Sequence, residues 1–371
     1  MNELPMPSDL KRDASTTGGV GADGQTPLPE PPSSRLIVQL FLVPLVIVAA
    51  AVGIMFLIGR LTGSNPSFEE ALKRLRNPGG ERTVSMLVGP GSKQRYMDAK
   101  TISDKLMKEG ADPAERARIS DELIEVLDKH TTDQEGDVRH FLLLALGRAW
   151  QLPQPASADL SVTSDPPATE ARARALDALM RYATSPQVSN QKAAILALAY
   201  WSGREEVRAA LPMLIAKVRD ESQDLDVRLA AATALGPIAK PSDADVIDAL
   251  RFAMRDTNPA NLELVWGSAL SLAQLGQKDV ADTILKLLDR NELAKAQVLD
   301  RETDAKNPTY QSLSDQEQQR ILINTMIGAA KLDVPAVQEK LRWLSTNDPS
   351  PRVREAAQEV LGKRRTADER R

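Results

Sequence analysis

The sequence predicts an all-α protein, an α-solenoid of about six helix pairs preceded by one transmembrane helix. Three observations carry that reading. Apolar residues make up 42% of the chain but aromatics only 4%, so the core is built mainly from Ala, Leu, Val and Ile, a palette that favours helices over sheets. A short Val-Arg…Leu-Gly motif recurs along the second two thirds of the chain. Near the N-terminus, Leu36 to Gly59 runs 24 residues without a charge.

Taken in order, residues 1–34 are polar and rich in Pro, Gly, Ser and Asp, ending in the Pro27–Pro32 stretch PLPEPP. They read as a disordered tail with polyproline II character. Residues 35–60 read as the membrane span. At about 1.5 Å per residue the uncharged run reaches ~36 Å, enough for a hydrocarbon core of ~30 Å with some tilt. Arg35 and Arg60 bracket it and can snorkel to the headgroups. A cleavable signal peptide has an apolar region of only ~7–15 residues behind a short basic start, so an uncleaved anchor is expected. Arg60, Lys73, Arg74 and Arg76 follow the span, and the positive-inside rule then favours a cytoplasmic repeat domain. The opposite topology stays open.

Residues 61–111 read as a helical linker region. Ser67-Phe68-Glu69-Glu70 is a capping box opening a helix to about Arg76, and Asn77-Pro78-Gly79-Gly80 stops it. A second helix over roughly 92–109 aligns Ala99, Ile102 and Leu106 on one face. From 112 to 365 one-sided helices alternate with Ala-rich ones. Ile119, Leu123, Val126 and Leu127 give the amphipathic spacing, as do Val207, Leu211, Leu214, Ile215 and Val218, then Val280, Ile284, Leu287 and Leu288, and finally Val337, Leu341 and Leu344. Between them lie apolar helices at 138–149, 190–201, 227–239, 262–275 and 321–330. Such alternation suits stacked hairpins that shield one another. No period-2 run is long enough to predict a sheet. Residues 366–371 are a tail.

Val138-Arg139…Leu146-Gly147 recurs as Val227-Arg228…Leu235-Gly236 and Val353-Arg354…Leu361-Gly362, with starts 89 and 126 residues apart. Those intervals divide into units of about 42–45 residues, the length of HEAT and armadillo repeats. A degenerate copy at Leu262…Leu270 aligns with Val227…Leu235 at an offset of 35. The unit from Leu211-Pro212-Met213-Leu214-Ile215 through Asp220 to Asp226-Val227-Arg228…Leu235-Gly236 resembles a HEAT repeat, and the HEAT-like repeats of phycobilisome lyases. The resemblance implies that Pro212 kinks the first helix, Val227 packs inward and Arg228 pairs with a turn aspartate. Arg139 and Arg354 hold the same motif position. The 188–201 unit has no Val-Arg step, and Glu263 stands where the fourth copy would have arginine.

The sequence carries no recognisable chemistry. Without cysteine there is no disulfide, thiolate metal site or Cys nucleophile. His130 and His140 are the two histidines, and helix-end positions suit caps or dipole partners better than a metal pair. No phosphate loop and no GxSxG elbow occurs. Glu205-Glu206 and Asp243/Asp245 sit at expected helix starts, where charge complements the dipole. Trp150, Trp201, Trp266 and Trp343 read as core. After the span, 44 basic residues stand against 46 acidic ones, so no field draws nucleic acid. Lys363-Arg364-Arg365 with Arg370-Arg371 reads as a solvated basic tail.

The expected function is therefore a single-pass membrane scaffold that binds a protein or peptide partner, with no enzymatic activity, no catalytic, cofactor or metal residues and no small-molecule substrate. Lipid contact is expected through 36–59. The alternative is an accessory subunit or lyase-like enzyme that holds a ligand on the solenoid. Two segments break the period, the Pro/Ser-rich 151–167 and the 291–313 insertion. Loops longer than about 12–15 residues are often functional. Leu293, Val298 and Tyr310 are accordingly the candidate partner-binding residues.

Overall fold

The computed structural model describes residues 68–76, 91–108, 112–129, 131, 135–152, 166–300 and 308–368. The expected span at 36–59, the tail before it, His130 and most of the 151–167 loop lie outside the described residues. Among the described residues no helix is long and apolar enough to cross a membrane.

The described chain is mostly helical. The first pair is α1 (Phe68–Arg76) and α2 (Gly91–Lys108), both placed as their capping and spacing predict. Then come α3 (Pro113–Lys129) with α4 (Gly136–Ala149), α5 (Pro166–Ala183) with α6 (Val188–Ala199), and α7 (Leu211–Arg219) with α8 (Leu225–Ile238). The pair α9 (Ala244–Met254) and α10 (Leu262–Gln274) follows, then α11 (Ala281–Leu287) with α13 (Asp315–Ala329), and finally α14 (Pro335–Asn347) with α15 (Pro351–Asp368). The second helices of consecutive pairs pack on one another in chain order, α2 on α4, α4 on α6, α6 on α8, α8 on α10, α10 on α13 and α13 on α15. The pairs from α3 to α15 are the six expected. The segment expected to be a linker forms one more, because Ala71, Leu72, Leu75, Ala99 and Ile102 are buried in the common core.

The motif residues owe their identity to this stacking. Val138, Val227 and Val353 are buried, as are Leu146 and Leu235. Gly147 and Gly236 let neighbouring second helices approach. A Cβ on Gly147 would lie 2.6 Å from the Ala197 carbonyl oxygen, and one on Gly236 would lie 2.9 Å from Ser271 Oγ. At Gly362, on the last helix, an added Cβ would meet nothing within 4 Å. Pro212 falls in the first turn of α7, just after the 3-10 turn Glu206–Ala210, so the first helix is broken there. Proline lacks the N–H needed to continue the ladder.

Arg228 is buried and donates from Nε to the Val218 carbonyl at 3.3 Å, while Nη1 stands 4.0 Å from Asp256 in the next pair's turn. The same reach recurs. Arg95 bonds the Leu75 carbonyl at 2.7 Å and Glu135 at 2.6 Å. Arg139 bonds the Thr131 carbonyl at 3.2 Å and Gln187 at 3.4 Å. Each satisfies a carbonyl at or just past the end of its own first helix and ties that pair to the following one. Arg354, on the final pair, bonds the carbonyls of Asp348 and Pro349 at 2.6 and 3.1 Å.

Two expectations are corrected. In α8 the buried side chains include Val227, Ala230, Ala231, Ala234, Leu235 and Ile238. In α10 the same spacing is met by Leu264, Gly267, Ser268, Ser271, Leu272 and Leu275. The fourth copy is thus offset by 37 residues, and Leu262 and Leu270 lie half-buried at its side. Val265 holds the arginine position and Glu263 the one two before it. The second correction concerns the absence of sheet. Gln297–Leu299 and Tyr310–Ser312 form β1 and β2, a two-stranded antiparallel ladder pairing Val298 with Gln311. Short strands with one buried residue leave too little alternation to be read from sequence.

Candidate functional site

The exposed side of the second-helix layer is the candidate site, and it is assembled from i, i+4 pairs on successive helices. Taking Val227 as reference, Leu229 and Thr233 of α8 face outward beside Lys192 and Leu196 of α6, Trp266 and Leu270 of α10, and Arg320 and Asn324 of α13. Thr233, Arg320 and Asn324 are exposed, and the other five are half-buried. Adjacency is close: a Cβ on Gly267 would lie 2.7 Å from Leu229 Cδ1 and 3.5 Å from Thr233 Oγ1. Ile327, next to this row on α13, is 56% exposed. The centre of the strip is therefore apolar and its ends carry cations.

Charges border the strip. Lys192 Nζ bonds Asp226 Oδ2 at 2.7 Å, linking α6 to α8. Glu263 at the start of α10 is pushed above its ordinary range by burial, against the attraction of Arg320 and Lys192. His140 on α4 is pulled below its ordinary value by burial, then by the Lys192 charge. Its ring meets Phe141 edge-on at 5.3 Å, and Phe141 meets Tyr96 the same way at 5.1 Å. Between α13 and α15 lies a pocket of about 520 Å³ lined by Ser314, Gln316, Gln319, Arg320, Asn324 and Arg352, with Glu317 and Ile323.

The residues singled out in the 291–313 insertion are divided by the structure. Arg290–Lys295 is a short helix, α12, with Leu293 buried beneath it. Val298 and Leu313 are also buried, and β1 rests on the Pro259–Asn261 turn and on α10. Only Tyr310 of the three presents surface, at 39% exposure. Leu293 is thus a core residue on the short helix that packs on α11 and α13, and Val298 is one on the strand that docks the insertion on the preceding pair. Nothing in their spacing separates a residue that docks a loop from one that docks a partner.

Other candidates fall into structural roles. Trp150 and Trp201 are buried, Trp266 is half-buried in the strip, and Trp343 is 50% exposed with the Lys340 ammonium 5.0 Å from its ring. Glu205 pairs with Lys240 at 2.9 Å, Glu206 with Arg172 at 2.7 Å, and Asp243 takes a two-point bond from Arg208. These carboxylates join neighbouring pairs as well as complementing helix starts. Among the described residues no group of three or more His, Asp or Glu is placed to hold a metal ion.

No family model matches the chain, and no curated protein matches it. Among solved structures, the chain is similar to human deoxyhypusine hydroxylase, determined in complex with glycerol, at 17% identity and a TM-score of 0.31, covering 83% of this chain and 99% of that one. The expectation that enzymatic activity is absent is thereby corrected, since the matching protein is itself a hydroxylase and a helical stack does not by itself bar catalysis. At that degree of overlap no activity or ligand passes from one chain to the other.

Proposed function

We propose that this chain is a HEAT-like scaffold that binds a protein or peptide segment along the exposed side of its second helices, held at a bilayer by residues 36–59. The observation that carries the reading is the strip from Lys192 to Asn324, where Leu196, Leu229, Trp266 and Leu270 stay half-buried between charged borders. Solenoids bring such side chains from consecutive repeats into one extended surface. An occupant covering the strip would complete the desolvation of apolar groups that the stack leaves partly wet, at about 25 cal/mol per Å² of apolar surface. The bilayer attachment is supported by the uncharged 24-residue run and its flanking arginines.

The test is site-specific photocrosslinking of the full chain in native membranes. A photoreactive residue at Thr233 or Leu270 captures a partner, and one at Phe252 of α9, on the first-helix layer, does not. Capture from Phe252 alone would remove the strip from consideration. The attachment is checked by alkaline carbonate washing, which leaves an integral chain in the pellet; release into the supernatant would refute it.

A further inference from the structure

We infer that the pocket between α13 and α15 is a carboxylate-recognition subsite for the bound segment, an inference that rests on the peptide-binding reading above. The argument comes from the register of the second helices. Lys192 stands two places after Asn190, the α6 residue equivalent to Val227, and Asp226 one place before Val227. Their ion pair at 2.7 Å closes the gap between α6 and α8. On α13 the buried residues Leu322, Thr325, Met326 and Ala329 repeat the spacing of Ala231, Ala234, Leu235 and Ile238. That register puts Arg320 at the Lys192 place, while Arg352, one before Val353, takes the Asp226 place. Two guanidinium groups thus line one pocket at the places where α6 and α8 join a cation to a carboxylate.

The surroundings fit an incoming acid. Both arginines line the pocket of about 520 Å³ and both are exposed. Among the described residues neither lies within 4 Å of a carboxylate oxygen, and the charge of Arg320 acts on Glu317 and Glu263 only from farther off. Glu317, the one acid in the lining, already accepts from the Ser314 backbone N–H at 2.8 Å and its hydroxyl at 2.6 Å as the cap of α13. The amides of Gln316 and Asn324 line the same wall, and such groups can fix a carboxylate's orientation; the Gln319 amide is engaged by Asp315 and Ser350. Guanidinium forks match a carboxylate in two-point geometry. Ile323 in the pocket and Ile327 beside it offer an apolar contact next to the charge. The occupant is therefore an Asp or Glu side chain adjoining an aliphatic residue of the partner.

The experiment uses the full chain in mild detergent and an array of 12-residue peptides. Each peptide containing Asp or Glu beside Leu, Ile or Val is synthesised together with its Asn or Gln counterpart. The unmodified chain should prefer the acid member of bound pairs by about tenfold or more, what a charge-assisted bond contributes. R320Q/R352Q should lose that preference while still binding amide peptides, and R320E/R352E should shift it toward Lys-containing peptides, a gain that a misfolded chain cannot produce. An acid preference unchanged in both variants would overturn the subsite and leave the peptide-binding reading standing. If the unmodified chain binds no peptide, the reading and the subsite fall together.

Discussion

Arg290 holds the buried Asp348 carboxylate by two parallel bonds, Nε to Oδ2 at 2.8 Å and Nη2 to Oδ1 at 2.9 Å, across 58 residues of sequence. Its third nitrogen reaches Asp315 at 2.9 Å. One side chain at the start of the insertion thus ties α12 to the start of α13 and to the turn before α15. Asp348 also accepts from the Ser350 backbone N–H at 2.9 Å, which fixes the turn.

Arg290→Ala should destabilise the chain by roughly 3 kcal/mol, the lower end for a broken buried pair, because Arg290 is partly exposed and Asp348 keeps its Ser350 bond. The Arg290→Ala/Asp348→Asn double variant should recover part of the loss, since no unpaired charge is left buried. Equilibrium urea unfolding measures both. A single-variant loss below about 0.5 kcal/mol, the range of ordinary surface changes, would show that the pair is not stabilising.

Gly147→Ala and Gly362→Ala should move stability in opposite directions. Both gain the helix propensity of alanine, up to about 1 kcal/mol. At Gly147 the new methyl meets Ala197 backbone at 2.6 Å, and overpacking of this kind costs about 1–3 kcal/mol. At Gly362 nothing stands within 4 Å, so the propensity gain remains. Equal shifts in thermal midpoint for the two variants would argue against close approach of α4 and α6.

The register of the fourth motif copy is tested by a pair of truncations. Leu264→Ala, at a fully buried position, should cost about 2–5 kcal/mol, as should Leu235→Ala in the preceding pair. Leu262→Ala, half-buried, should cost distinctly less. The reverse order would restore the offset of 35.

Acid should weaken the fold partly through His140. Burial and then Lys192 hold its imidazole below the ordinary 6.5. As pH falls through that value the unfolded chain takes up a proton before the native one does. Stability attributable to this residue is thus full above the unfolded value and declines from there toward the lower native one. Thermal midpoints at pH 7.5 and 5.5 should differ less for His140→Gln than for the unmodified chain; an identical pH dependence would remove His140 from the account.

Deleting 296–312 should reduce stability as well as any partner contact at Tyr310. Loop-length terms alone are small, but the deletion removes buried Val298 and the β1 contact with α10. Point substitutions separate the two effects: Val298→Ala should lower the urea midpoint, while Tyr310→Ala leaves it nearly unchanged.

The helix pairs were legible because their signals are local. Period 3.6, Ala-rich second helices and a Val-Arg…Leu-Gly step are set by neighbours within one or two turns, and the sequence alone determined α1, α2 and most helices of the later pairs, while α5 and α9 were not singled out. The Val227 and Leu235 positions followed from the same motif. What could not be read there depends on which surfaces meet. Leu262/Leu270 and Leu264/Leu272 share one spacing of eight residues, and only packing against α8 decides which pair is inside. Leu293 and Val298 look like exposed anchors in a charged loop until α12 packs on α11 and α13 and β1 folds back on α10. The placement of Arg320 and Arg352, 32 residues apart in sequence, on one pocket likewise arises only when α13 and α15 stack, because side-chain direction on a helix is fixed locally while the partner across the interface is fixed by tertiary register.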